Sequence, residues 1–287
     1  MSIHRRIRST LAATRSPIPG VDMFTWVYEM PSWLSFLVIT GVFVAITCSG
    51  VIIARPGVRK IFARQPGMNE MVTMVLTVGG VFYGLLLGLT AAATYQSFDS
   101  ANTIVADEAA TLGVLYREVS AYPEPERGVL QKDLVDYTDN AINVAWPALR
   151  KGEESTIGTA LVTRFQQHLL AFHPQTESDK IVHAAAIEQF AHFIQVRLHR
   201  LADSSGGIPN LMWTVIVIGA AVNIALMCLF TLEHRTAHLV LAGLFAFFLA
   251  TMIYLIAAMD YPFRGDLSIS PEPFITTYII VMGQTSH

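Results

Sequence analysis

The sequence predicts an all-α membrane protein, with four transmembrane helices and a helical insert of about four helices between the second and third spans. Composition is the first observation: 53% of the 287 residues are hydrophobic and only 14% are charged, whereas a typical soluble domain has about 25% charged residues. The second is four apolar segments, each near the roughly 20 residues that cross a bilayer as a helix. The third is a long polar stretch with helical periodicity and no strand pattern.

The four predicted spans can be placed by their apolar runs. They are Trp33–Ile53, Met71–Thr94, Leu211–Leu232 and Ala237–Met259. Only residues 233–236 separate the third span from the fourth, so these two should form a helical hairpin. No charged side chain lies between Met71 and Thr94.

The polar insert, residues 95–210, is too long for an unstructured loop. Its first part, Asn102–Ala121, should extend the second span as one long helix. A second helix should run to about Ala145, where Trp146 and Pro147 should end it. Two further helices are expected over Ser155–Phe172 and Glu177–Leu201. The last has a heptad-like apolar series: Ile187, Phe190, Ile194, Leu198 and Leu201.

These segments divide the chain into five parts. They are an N-terminal arm (1–32), transmembrane helices 1 and 2 (33–94), the soluble insert (95–210), transmembrane helices 3 and 4 (211–259) and a C-terminal interfacial tail (260–287).

Basic residues near the spans indicate the orientation. The short connecting loops hold Arg55, Arg59, Lys60, Arg64 and Arg235. This density favours cytoplasmic short loops and an extracytoplasmic insert. The N-terminal arginines (Arg5, Arg6, Arg8 and Arg15) argue the opposite if the chain starts at Met1 and not at Met23.

Three glycines at four-residue spacing, Gly80, Gly84 and Gly88, lie on one face of the second span. A strip without side chains lets another backbone approach closely. Two interpretations stay open: ordinary packing within one subunit, or a helix repeated around a symmetry axis that lines a pore.

In the pore interpretation, an apolar constriction that gates by dewetting would be formed by Val81, Phe82, Leu86, Leu87 and Leu89. Thr90, Thr94 and Gln96 would form a polar lining beyond it. With no charged residue at mid-membrane, selectivity would come from backbone groups, hydroxyls or the insert.

Two pairs of charged residues are candidates for a mouth or an interface. Asp107 and Glu108 follow the second span and could gather cations there, or simply belong to a solvated helix face. Asp260 and Arg264 follow the fourth span. They could pair, contact lipid headgroups, or form a plain interfacial turn.

Other functional classes have little support. His192 and His199 are seven residues apart, a loose spacing for one metal ion, and remain only weak candidates; no metal or other cofactor is predicted. Phosphate-loop, dinucleotide and nucleophile-elbow motifs are absent, so no enzyme is predicted. A net charge of −3 gives no footprint for nucleic acid. Cys48 and Cys228 are interpreted as small core residues.

Several motifs carry a family resemblance. They are Tyr83–Thr90, Tyr95–Phe98, Glu108–Arg117, Tyr122–Arg127, Trp146–Pro147 and Asp260–Gly265. Over Trp33–Phe274 the chain resembles a bacterial membrane family of unknown function described as bestrophin-like, and more distantly the bestrophins, which are pentameric anion channels with a pore lined by the second span. The resemblance implies a pentamer with Val81, Phe82 and Leu85 as neck residues. The acidic calcium-binding cluster of animal bestrophins has no counterpart after Asp260.

The sequence hypothesis is therefore an oligomeric, multi-pass ion channel of the bacterial inner membrane. Its partners would be the lipid bilayer, further copies of the chain and small ions. The alternative is a non-conducting membrane scaffold or sensor whose helical insert binds a partner or ligand.

Overall fold

The computed structural model describes residues 16–17, 25–62, 67–204, 206–230, 232 and 234–284. The predictions that concern the N-terminal arginines, Met1 or Met23 as the start, and Arg64 fall outside these residues.

Helices make up nearly all of the described chain. In order they are α1 (Thr25–Glu29), α2 (Ser32–Phe62), α3 (Met68–Val119), α4 (Glu126–Asn140), α5 (Trp146–Arg150), α6 (Ile157–Ala171), α7 (Glu177–Ser204), α8 (Asn210–Cys228), α9 (Arg235–Met259) and α10 (Glu272–Thr276). Ala141–Ala145 and Thr277–Val281 are π-helical turns. One short antiparallel pair joins β1 (Ser16–Pro17) to β2 (Glu153–Glu154), although the sequence has no strand pattern.

Four of the described helices, α2, α3, α8 and α9, are long and apolar enough to cross a membrane. This confirms the prediction of a helical protein with four apolar spans. Many of their large apolar side chains face outward, as expected for helices whose surroundings are lipid. The second span does continue beyond the apolar stretch, because α3 is one helix over 52 residues.

Two predicted helix ends are wrong. Helix α2 continues through Pro56 to Phe62, although a connecting loop was expected from Ala54 onward. The Trp146-Pro147 pair does not end the helix either, because α4 continues through the π-helical turn directly into α5. Pro147 lies in the first turn of α5, where a missing backbone N–H costs little.

The chain divides into two compact units. The spanning unit contains the described residues between Asp22 and Phe98 and between Gly207 and Asp260. Its core is formed by one stripe from each of α3, α8 and α9. The buried members are Tyr83, Leu87, Trp213, Ile216, Ala220, Leu249, Ile253, Ile256 and Ala257.

The polar unit contains the described residues between Asp99 and Gly206 and those from Tyr261 onward, together with β1. The buried stripe of α7 differs from the predicted apolar series. It includes Phe190, Phe193, Arg197, Arg200 and Ser204, whereas Ile187 and Leu198 are exposed. The prediction was wrong because two arginines occupy core positions, which a pattern of apolar residues does not reveal.

The tail after Arg264 packs on the distal half of α3 within the polar unit. The Thr277 hydroxyl donates to the carbonyl of Ala109 at 3.1 Å. A side chain at Gly113 would meet Thr277 and Val281, so a glycine permits this close approach.

Candidate functional site

Helix α3 has one buried stripe that continues from Tyr83 to Val119. Buried positions recur at alternating spacings of three and four residues: Tyr83, Leu87, Thr90, Thr94, Ala101, Val105, Glu108, Leu112, Leu115 and Val119. In the spanning unit this stripe packs against the other helices, and no described side chain covers the opposite face beside Gly84 and Gly88. In the polar unit the C-terminal tail covers part of the other side of α3, at Ala109 and Gly113.

The exposed face carries the predicted neck residues. Phe82 is 68% exposed, and Val81 and Leu85 are also exposed. Gln96 lies on the same face beyond them. Val81, Leu85 and Gln96 thus lie on one exposed face of α3 within the spanning unit. Asp107, in the polar unit, is exposed as well.

Thr90 and Thr94 do not belong to this surface. Each is only 5% exposed, and their hydroxyls donate to the carbonyls of Leu86 and Thr90, both at 2.8 Å. A helical rotation of 100° per residue places them opposite Val81 and Leu85. Thr90 and Thr94 therefore do not share a face of α3 with the predicted neck residues, and the prediction that they line the same pore surface is wrong.

The glycine strip is largely open. No described atom beyond the neighbouring backbone lies within 4 Å of a Cβ placed at Gly84 or Gly88. At Gly80 the nearest such atom is Asn223 Oδ1, at 3.9 Å. Packing within one chain thus does not account for the absence of side chains at Gly84 and Gly88.

A close contact between α3 and α8 fixes which face of α3 points inward. The Tyr83 hydroxyl donates to the carbonyl of Ile216 at 2.8 Å. Its ring lies so close to Gly219 that any Cβ there would overlap it. Since Tyr83 is held against α8, Val81 and Leu85 are turned outward.

Glu108 and Asp107 are neighbours in sequence with different surroundings. Glu108 is fully buried: Arg200 Nε donates to its Oε2 at 2.5 Å, and the Tyr137 hydroxyl donates to its Oε1 at 2.7 Å. Asp107 is exposed. The prediction that both carboxylates face solvent is therefore wrong for Glu108. Only Asp107 faces solvent.

Glu108, Arg200 and Tyr137 form a buried, hydrogen-bonded cluster of polar side chains in the polar unit. Burial and the carboxylate of Glu108 raise the pKa of Tyr137. Burial alone would lower the pKa of Arg200, but the attraction of Glu108 raises it overall. The Arg200 guanidinium also lies 5.4 Å from the centre of the Trp146 ring, whose indole N–H donates to Ile269 O at 2.9 Å. Glu108 and Arg200 are therefore positioned for an internal ion pair.

The other predicted interface charges are also largely buried. Asp260, in the spanning unit, accepts hydrogen bonds from the backbone N–H of Ile208 at 2.5 Å and from Trp213 Nε1 at 3.1 Å. Arg264, in the polar unit, lies over the ring of Tyr261 at 4.4 Å. Each of these charges has contacts within its own unit.

His192 and His199 both lie on the exposed side of α7. Across the described ranges, no group of three or more His, Cys, Asp or Glu side chains is arranged to hold a metal ion.

A family model identifies the chain. The model for the bestrophin-like domain matches residues 41–274, which is most of the sequence. The chain belongs to the bestrophin-like family. This confirms the resemblance inferred from the motifs.

Solved structures share this bestrophin-like fold at low identity. A bacterial bestrophin homolog from Klebsiella pneumoniae superposes with a TM-score of 0.63 at 12% identity, covering 85% of this chain and 99% of that one. A single-site variant of that homolog gives a TM-score of 0.63 at 11% identity, with coverages of 85% and 98%. A structure described as a membrane protein variant gives 0.65 at 10% identity, with coverages of 85% and 98%. No curated protein matches the chain.

The family and the four apolar helices together make the bestrophin-like chain a multi-pass membrane protein. Sequence reasoning missed Arg197, Arg200 and Tyr137 as parts of its buried network. A signal was available, because Glu108 falls in the same three-and-four spacing as Val105, Leu112 and Leu115. A carboxylate in an apolar stripe requires a buried partner.

Proposed function

We propose that this bestrophin-like protein is an oligomeric ion channel of the bacterial inner membrane, in which copies of α3 surround the pore. The observation that carries the proposal is the exposed face of α3. It combines bulky apolar side chains, two open glycines and a polar continuation on one surface.

The open glycines favour a second copy over lipid as the neighbour of this face. Small residues at a helix surface allow backbones to approach closely, and such strips are typical of helix–helix contacts in bilayers. A Cβ added at Gly84 or Gly88 would have no described atom within 4 Å apart from the neighbouring helix backbone. A symmetry-related helix is a neighbour that would use the space they leave.

In a ring of copies, the exposed face would change character along the axis. Val81, Phe82 and Leu85 would form an apolar neck of the kind that gates by dewetting. Gln96 would follow, and then Asp107, whose carboxylate would gather cations at the mouth. The resemblance to bestrophins supports five copies.

The remaining architectural predictions belong to the same proposal. The insert, residues 95–210, would form the soluble part between transmembrane helices 1 and 2 (33–94) and transmembrane helices 3 and 4 (211–259). The arm, 1–32, and the tail, 260–287, would flank these parts. The basic short loops favour a cytoplasmic location for the loops and an extracytoplasmic one for the insert.

Reconstitution into liposomes tests the proposal. Purified protein should give a flux of small ions, measured separately with a cation and an anion gradient. Leu85→Ala should change that flux because it widens the neck. Leu244→Ala is the matched control, since Leu244 is an equally exposed leucine of α9, at 62% against 58% for Leu85.

Absence of flux for both ion classes across pH and voltage would reject the channel. A flux that changes equally in both variants would reject the neck assigned to α3. If no flux is observed, a non-conducting membrane scaffold or sensor becomes the preferred function instead of a channel.

A further inference from the structure

Arg197, in the polar unit, is a buried cation without a carboxylate partner among the described residues. The residue is 6% exposed. Its Nη2 donates to the Thr159 hydroxyl at 3.1 Å, and its guanidinium lies 5.9 Å from the centre of the Tyr137 ring. Its Nε is buried and has no hydrogen-bond partner. Because buried charges are normally paired, this guanidinium requires an explanation.

The Glu108 carboxylate does not supply the missing charge. It is already bound by Arg200 through both of its oxygens and by the Tyr137 hydroxyl. The local interior thus holds two arginine cations, Arg197 and Arg200, for one carboxylate. A small anion beside Arg197 would restore the balance.

The first turn of α6 lies next to the Arg197 guanidinium. Gly158 is buried in that turn, and a Cβ added to it would lie 3.5 Å from Arg197 Nη2. Thr156, the N-cap residue, makes no side-chain capping bond, and no acceptor is described for the N–H groups of Ile157 and Gly158. Free N–H groups at a helix N-terminus bind anions, helped by the helix dipole.

Asn140 completes the surroundings. Its Oδ1 is buried without a partner and lies 3.6 Å from the same Cβ position of Gly158. The oxygen and nitrogen of an amide are assigned from the hydrogen-bond network. With its oxygen and nitrogen interchanged, the Asn140 amide would direct N–H donors, instead of Oδ1, towards the space beside Gly158. Thr159 is exposed, which gives the turn access to solvent.

We propose that Arg197, the first turn of α6 and Asn140 bind a small inorganic anion such as chloride. The site is in the polar unit and separate from the exposed face of α3. Nε and Nη2 form one edge of the guanidinium and supply two parallel donors. The anion pairs with Arg197 and stabilises the contact between α6 and α7.

Bromide is the direct probe, because it replaces chloride and scatters anomalously. Crystals of the full-length protein grown in bromide should show an anomalous peak within hydrogen-bond distance of Arg197 and the N–H groups of Ile157 and Gly158. The rival is a water that bridges Arg197 Nε and Asn140 Oδ1. An ordered site without an anomalous peak would overturn the proposal.

Thermal unfolding in detergent provides the solution test. Replacing gluconate by chloride at constant ionic strength should raise the Tm by about 3–6 °C once chloride exceeds its Kd tenfold. Arg197→Met should lose this dependence, and so should Gly158→Val, which fills the space but keeps the charge. Arg127→Gln, which removes an exposed arginine paired with Glu124, should retain it.

An equal chloride effect in all four proteins, or none in the wild type, would refute the site. If Arg197→Met does not fold, Gly158→Val and bromide scattering from the wild type still decide. Both readouts measure binding, so they are independent of whether the protein conducts ions.

Discussion

Arg200 donates hydrogen bonds to both carboxylate oxygens of Glu108, and neither residue is more than 3% exposed. The pair joins α3 to α7 inside the polar unit. Removing one partner of a buried ion pair leaves an uncompensated charge, which costs more than the pair itself contributes.

Glu108→Ala should therefore lower the free energy of unfolding by about 3–5 kcal/mol, measured by denaturant titration of the detergent-solubilised protein. Asp107→Ala, the adjacent exposed carboxylate, is the control and should change stability by about 0.5 kcal/mol or less. The double variant Glu108→Leu/Arg200→Met should recover much of the loss. Equal effects at positions 107 and 108 would contradict the buried pair.

Gly84→Leu should disrupt assembly without unfolding the chain, because the single chain leaves the space beside Gly84 open. Native mass measurement of subunit number and the circular dichroism of the purified protein separate these effects. Gly41→Leu is the control, since Gly41 lies on α2 and likewise meets no described atom within 4 Å. Full assembly of Gly84→Leu would show that the strip is not a subunit contact.

If the proposed ring of subunits forms, Asp107→Asn should shift the ion selectivity of liposome flux away from cations, because it would remove one carboxylate per subunit from the mouth. The effect should be largest at low ionic strength, where screening is weakest. Glu118→Gln is a nearby charge change on a more covered part of α3 and should have less effect. Unchanged selectivity in Asp107→Asn would place Asp107 away from the pathway.

The Tyr122–His183 contact should make the polar unit sensitive to acid. Tyr122 Oη lies 2.7 Å from His183 Nδ1, and both rings pack on Phe172. Burial lowers the pKa of His183 below its ordinary value of 6.5, and burial together with Glu118 raises the pKa of Tyr122 to about 12. The phenol thus stays protonated and donates to a neutral imidazole.

The sign of the pH effect follows from the lowered pKa. The unfolded chain binds a proton at His183 more readily than the folded one, so this stability is present above pH 6.5 and decreases as the pH falls through the lower, folded pKa. His183→Gln should flatten the dependence of Tm on pH in that window. His192→Gln, at an exposed histidine of the same helix, should leave the wild-type slope; identical slopes in all three proteins would contradict the assignment.

The spans were predictable because a run of apolar residues such as Met71–Thr94 has few alternatives to a membrane helix. The continuation of α3 was predictable too, since Val105, Leu112, Leu115 and Val119 keep its buried phase. The burial of Arg197 and Arg200 was not, because it depends on tertiary partners contributed by α3, α4 and α6. The end of α2 was not predictable from its apolar run, which stops at Ile53 while the helix continues to Phe62. Pro147 misled because a proline in the first turn of a helix does not interrupt it.

The candidate pore residues divide in the same way. Periodicity alone separates Thr90 and Thr94 from Val81 and Leu85, because they lie on opposite sides of one helix. Which side faces inward depends on Tyr83 and its contact with Gly219, which no local pattern contains.

Electron cryomicroscopy of the full-length protein in lipid nanodiscs tests the central claim most directly. The account predicts a closed ring of subunits, with Val81, Phe82 and Leu85 of every copy facing a common axis and Gly84 and Gly88 against a neighbouring subunit. A monomer, or a ring in which this face of α3 contacts lipid, would contradict it.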